Sequence, residues 1–134
     1  MTDSISTKIK FLESIGCGET THQDRTLLQH LIDTYELLKD SPRHIALAGL
    51  FHSVYGTAYF KPKTISLDNR DVVRDIIGEE AENLAFMFCT IPHPRGVNIW
   101  TIEDTKLRDE LMMIENANQL SQYSNHERLD FYNV

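Results

Sequence analysis

The stretch Ser41-Pro42-Arg43-His44-Ile45-Ala46-Leu47-Ala48-Gly49-Leu50-Phe51-His52-Ser53-Val54-Tyr55 decides the fold of this chain. Ser41 followed by Pro42 reads as a helix start, a capping hydroxyl ahead of a proline at the first helical position. From Ile45 to Phe51 the side chains are apolar all round rather than along one stripe. A surface helix keeps a polar face, so this pattern predicts a helix from Pro42 to about Tyr55, buried at the centre of the domain. One imidazole, His52, follows directly on the apolar run.

The segments on either side are also helical in period. Leu27, Leu31, Tyr35 and Leu38 form one stripe before the central helix, with His30 and Thr34 on the same side. Further upstream, Ile5, Ile9 and Leu12 recur at helical spacing, and Gly16 and Gly18 stop that helix. Thr20 to Asp24 is a polar connection. Downstream, Gly56 ends the central helix and a loop follows. Asp68 caps a short helix bearing Val72, Val73, Ile76 and Ile77, closed by Gly78. Glu79 to about Thr90 is the next helix, with Ala81, Leu84, Ala85 and Phe88 inward. Ile91 to Trp100 reads as a proline-containing loop. Thr101 with Asp104 resembles a capping box opening the last long helix, whose stripe is Leu107, Leu111, Ile114 and Asn118. No alternating strand of useful length is visible. The expectation is an all-α, compact single-domain bundle of about six helices over residues 1–134, with the polar tail after about Ser121 unassigned.

Composition narrows the function classes. A chain of 134 residues with 41% hydrophobic and 25% charged residues suits one globular domain with a real core. The net charge of −7 argues against a nucleic-acid backbone as partner. Cys17 and Cys89 are the two cysteines, too few for a disulfide framework and in keeping with a reducing compartment. No apolar run reaches the roughly 20 residues needed to cross a membrane. A soluble, cytoplasmic protein is expected.

His30 and His52 are the first candidates for chemistry, because each occupies a place where its helix wants an apolar residue. Imidazole is the commonest side-chain metal ligand and the usual general base near neutral pH. Asn118 falls on the buried face of the last helix, where an amide needs polar company. A shared pocket lined by His30, His52, Tyr55 and Asn118 is the reading, with Glu115 in reach of it. His52 or His30 would take a proton, Tyr55 would donate to a developing oxyanion, and Ser53 would orient the base. Lys61, Lys63 and Arg70 cluster past the central helix and would hold a phosphate or carboxylate. Arg95 is a second, weaker anion site, with His93 beside it exposed. His22 could swing above the pocket. Cys17 and Cys89 have neither metal-ligand spacing nor a catalytic partner.

The series His30, His52-Ser53-Val54-Tyr55-Gly56-Thr57, Ile77-Gly78-Glu79-Glu80-Ala81 and Ala117-Asn118-Gln119-Leu120 resembles the HD superfamily of metal-dependent phosphohydrolases. The nearest likeness is to the hydrolase domain of the alarmone synthetase/hydrolases, and it covers about residues 22 to 120. His52-Ser53-Val54-Tyr55-Gly56-Thr57 is also similar to a group of small uncharacterised proteins, a likeness that implies no activity. The superfamily resemblance implies an HD-like helical domain with a divalent metal held by His30, His52 and the position of Asn118. Ser53 stands where the family has its metal-binding Asp, Asn118 where it has the distal Asp, and Tyr55-Gly56 where it has the Glu-Asp pair that prepares water. Two imidazoles and an amide suit magnesium or manganese poorly. A softer ion, zinc or iron(II), would need a further ligand, for which Glu115, Glu82 and His22 are the candidates.

Two expectations follow. One is a small intracellular enzyme acting on a small, anionic metabolite, as a hydrolase or oxygenase on a remodelled metal site or as a metal-free isomerase or lyase. The other is a non-catalytic HD-like domain that binds a nucleotide or metabolite, or a structural interaction module. The partner expected in either case is a small-molecule ligand, with no nucleic acid and no membrane.

Overall fold

A computed structural model describes residues 5–18, 21–22, 25–56 and 65–124, apart from the side chains of Thr21, His22, Arg25, Tyr123 and Ser124. Helix α1 (Ile5–Ser14) leads into a two-residue hairpin of β1 (Thr21–His22) and β2 (Arg25–Thr26), with Thr21 opposite Thr26 and His22 opposite Arg25. The polar connection expected before the second helix therefore carries this small pairing. Thr26 then caps α2 (Leu27–Leu38), its hydroxyl accepting from Gln29 N at 3.1 Å. Next come α3 (Arg43–Leu50), a 3-10 turn (Leu67–Asn69), α4 (Arg70–Ile77), α5 (Glu79–Thr90), α6 (Arg95–Trp100) and α7 (Thr105–Ser124). The described residues thus form an all-α bundle with seven α-helices rather than six.

The central helix is as buried as its composition demands: every residue from Ile45 to Leu50 is buried. It packs against α2, α5 and α7, while α4 lies on α5 and α6 on α7. Both of its ends differ from expectation. Pro42, not Ser41, takes the capping position, with an extended backbone, and its carbonyl accepts from Ile45 and Ala46 N. The helix stops at Leu50 because the backbone bonds then shorten in span. His52 N reaches Gly49 O, Val54 N reaches Phe51 O, and Gly56 at φ +81° closes the last turn by donating to Ser53 O.

Two more boundaries are corrected. The segment expected to be a loop up to Trp100 contains α6, which buries Ile99 at 0% exposure. Asp104 caps α7 by accepting from Leu107 N at 3.1 Å, whereas Thr101 donates to Asn98 O in the preceding turn, so the two do not form a capping box. Gly78, at φ +94°, supplies the left-handed turn that separates α4 from α5. No helix among the described residues is long and apolar enough to cross a membrane.

Gly49 marks the closest approach of α3 to α2. A β-carbon there would lie 2.6 Å from Leu38 Cδ1 and 3.4 Å from Thr34 Cγ2. Gly49→Ala is expected to lose about 1–3 kcal/mol in urea unfolding through overpacking. Adding Leu38→Ala should make the two losses less than additive, since one side chain vacates the space the other needs.

Candidate functional site

The structure separates the predicted pocket residues into two buried clusters. The first joins α2, α3 and α7. His30 is 0% exposed, His52 1% and Asn118 4%. Asn118 Nδ2 donates to Glu115 Oε1 at 3.2 Å, which turns Oδ1 toward His30. His30 Nε2 therefore donates to Asn118 Oδ1 at 2.8 Å, and Gln122 Nε2 donates to the same oxygen at 3.1 Å. In the neutral ring the other nitrogen, Nδ1, then accepts from Ser121 Oγ at 2.9 Å. His52 stands edge-on to His30, with ring centres 5.1 Å apart, and packs likewise on Phe88. Its Nδ1 donates to Gly49 O at 2.7 Å.

Glu115 extends this cluster and is buried, not solvated. Its Oε1 accepts from Arg95 Nη1 at 3.0 Å and its Oε2 from Gln119 Nε2 at 2.8 Å. Arg95, expected as a loop residue open to a ligand, is itself buried, with its guanidinium 4.4 Å above the Phe88 ring. Arg95 Nε is buried without a hydrogen-bond partner. Cys89 donates its thiol hydrogen to His52 O at 3.0 Å, and burial pushes that thiol up to about 12, so it stays protonated and unreactive.

The second cluster gathers around Glu82 on α5. Tyr55 Oη donates to Glu82 Oε2 at 2.9 Å, and Arg70 binds both carboxylate oxygens at 2.6 and 2.9 Å. Arg74 adds a longer contact at 3.6 Å, and Arg70 lies 3.7 Å above the Phe86 ring. Burial, followed by the Glu82 carboxylate, pushes the Tyr55 phenol well above its ordinary value. Burial alone would raise Glu82, but hydrogen bonds from Arg70 and Tyr55 outweigh it and hold the carboxyl below 4.5. Tyr55 thus spends its hydrogen on Glu82, and Arg70 is committed to the same carboxylate.

The remaining candidates lie elsewhere. Ser53 is buried in the turn after α3, and His93 is exposed. His22 pairs through its backbone in the hairpin, and its side chain is outside the described residues. Lys61 and Lys63 are outside them altogether.

The side chains present do not fit the metal that the resemblance implies. Both nitrogens of His30 are engaged within the core, and Asn118 Oδ1 already accepts two bonds. Glu82 faces Arg70 and Glu115 faces Arg95. Among the described residues no three His, Cys, Asp or Glu side chains are arranged to hold a metal ion.

Several partners in these clusters escaped the sequence reading. Ser121 and Gln122 continue the buried face of α7 beyond Asn118, so a longer helix would have included them. Glu82, expected only as a further metal ligand, is buried on a helical face with Ala85 and Cys89 and meets Tyr55 and Arg70 there. Nothing local connects Arg95 to Glu115.

Two outcomes test these clusters. His30→Ala removes the ring's bonds with Asn118 and Ser121 and opens a cavity between α2 and α7, and is expected to cost about 2–4 kcal/mol in chemical unfolding. The stabilisation from Glu82 is fully present above its unfolded value of 4.5 and is lost as pH falls through its lower folded value. Glu82→Gln should therefore reduce stability at pH 7 and flatten its decline in acid, read from unfolding curves between about pH 7 and pH 3.

Comparison with curated proteins and with solved structures gave no match. A family model matches residues 11–93, more than half of the chain and the part that carries His30, His52, Tyr55 and Glu82. The chain belongs to that family, a domain of unknown function, DUF6817.

Proposed function

We propose that this is a non-catalytic HD-like domain, a helical ligand-binding module whose histidine pair is now part of its core. The observation that carries this reading is the saturation of His30: at 0% exposure both ring nitrogens meet neutral partners, Asn118 and Ser121. A general base must reach the proton it removes, directly or through one water. His30 and His52 are closed off by α2, α3, α7 and Phe88, and the Tyr55 hydroxyl is used by Glu82. The juxtaposition of His30, His52 and Asn118 supports descent from an HD-like site. The neutral residues Ser53 and Asn118, where the resemblance to the HD superfamily would place metal-binding acids, support the absence of such a metal from this reading.

The net charge of −7 keeps nucleic acid out of the proposed partners. Two buried free thiols support a reducing compartment such as the cytoplasm.

The test is elemental analysis of untagged protein incubated with zinc, iron(II) and manganese, with His52→Ala in parallel. The expected result is no stoichiometric metal that depends on His52, and no metal-dependent hydrolysis of phosphoesters. Metal near one per chain that disappears in His52→Ala would overturn the reading and restore the metalloenzyme.

A further inference from the structure

Helix α6 is weakly embedded for an element that borders the histidine core. Of its six residues only Arg95 and Ile99 are buried. Val97 and Trp100, its other large apolar side chains, are 62% and 64% exposed. The helix packs chiefly on α7, and short segments without helix, residues 91–94 and 101–104, flank it. Its remaining polar bonds are its own. Asn98 Nδ2 donates to Pro92 O at 2.8 Å and to Pro94 O at 3.1 Å, and Thr101 Oγ1 donates to Asn98 O at 2.7 Å. Residues 92–101 are thereby tied into one piece.

One side chain fastens that piece to the core. Arg95 Nη1 donates to Glu115 Oε1, which also accepts from Asn118 Nδ2, the amide whose oxygen serves His30. The same guanidinium lies over Phe88, the ring that packs on His52. Arg95 is thus joined to His52 through Phe88 and to His30 through Glu115 and Asn118. The fastening is imperfect. Arg95 Nε is buried without a hydrogen-bond partner, and lifting the helix would return it to water. That unmet donor works against the ion pair, as does the desolvation of both charges. The other fastenings are the Ile99 side chain and Arg108, 5.4 Å over the Trp100 ring.

We infer that α6 is a strap: residues 92–101 lift off α7 as a unit, and this lifting opens the histidine core while α2, α3, α5 and α7 stay packed. Lifting withdraws the guanidinium from Glu115 and Phe88 and gives solvent a bare carboxylate beside an aromatic face. The inference rests on the ligand-binding reading and supplies the entrance that a closed core lacks. Small cooperative units of this kind open below the global unfolding free energy.

Cys89 reports the opening. It follows Phe88 on α5, donates its thiol hydrogen to His52 O and is 8% exposed. Cys17, 0% exposed between α1 and the hairpin, is the internal control. The experiment is alkylation of the full chain by iodoacetamide, read at each cysteine by mass spectrometry in up to about 2 M urea and normalised to the unfolded chain. Cys89 is expected to react at a rate nearly independent of urea, because a local opening exposes little surface. Arg95→Met should speed Cys89 about tenfold and leave Cys17 unchanged. Gly49→Ala, which loosens the α2–α3 contact instead, should speed Cys17 and leave Cys89 at its wild-type rate. A Cys89 rate that climbs with urea as steeply as global unfolding, or that Arg95→Met does not move, would overturn the strap. Should Arg95→Met fail to fold, the urea dependence of the wild type decides alone. Labelling needs no metal, so failure of the strap is distinct from failure of the non-catalytic reading, which metal content tests.

Discussion

The hydrogen bonds that His30 makes with Asn118, as donor, and with Ser121, as acceptor, set the arrangement of the other helices. They tie α2 to α7 across most of the chain, at a ring with no contact with water. A buried polar group left without a partner costs about 1–3 kcal/mol, and this ring has two to satisfy. Asn118 and Ser121 are three residues apart on one helical face, so a single rotation of α7 serves both. Turning α7 by one residue, about 100°, would take Asn118 away from the ring and strand it. The apolar stripe alone defines a broad face, whereas the imidazole selects one register on it. His52 then seats α3 edge-on against His30, and its carbonyl takes the Cys89 thiol of α5.

Carboxylates buried or half-buried between helices are handled by a separate device, repeated at three places. Glu82 on α5 meets Arg70 and Arg74 of α4, Glu115 on α7 meets Arg95 of α6, and Glu110 on α7 meets His44 of α3. Each pair links two helices, so each fixes a docking angle more than it adds stability, given the desolvation that opposes it. Arg95 shows the balance most clearly. Its Nε is buried without an acceptor, which is a cost, and its guanidinium lies over Phe88, which returns roughly 1–2 kcal/mol in a desolvated setting. With the Glu115 pair and the buried Ile99, that is enough to hold a helix of only six residues.

Periodicity made the helices legible because burial repeats along them. The run Ile45 to Phe51 announced a central helix, and Gly78 announced the break between α4 and α5. The ends of helices were less legible, because they depend on single hydrogen bonds: Pro42 displaced Ser41 from the cap, and Asp104 capped α7 without Thr101. Helix α6 was hidden by the prolines before it, and its stability comes from contacts with α7 that are remote in sequence. The site was legible in part for the same reason. That His30, His52 and Asn118 would be buried could be read from their faces, and they do meet. That Tyr55 would turn to Glu82, and that Arg70 would follow it, depends on how α4 folds back on α5.

His30, which stands out in the sequence, is therefore a residue whose bonding is complete. A polar residue in an apolar stripe is conspicuous whether it serves the core or a ligand, and the structure separates the two by counting satisfied atoms. His30 has a partner at each nitrogen and no exposure to solvent.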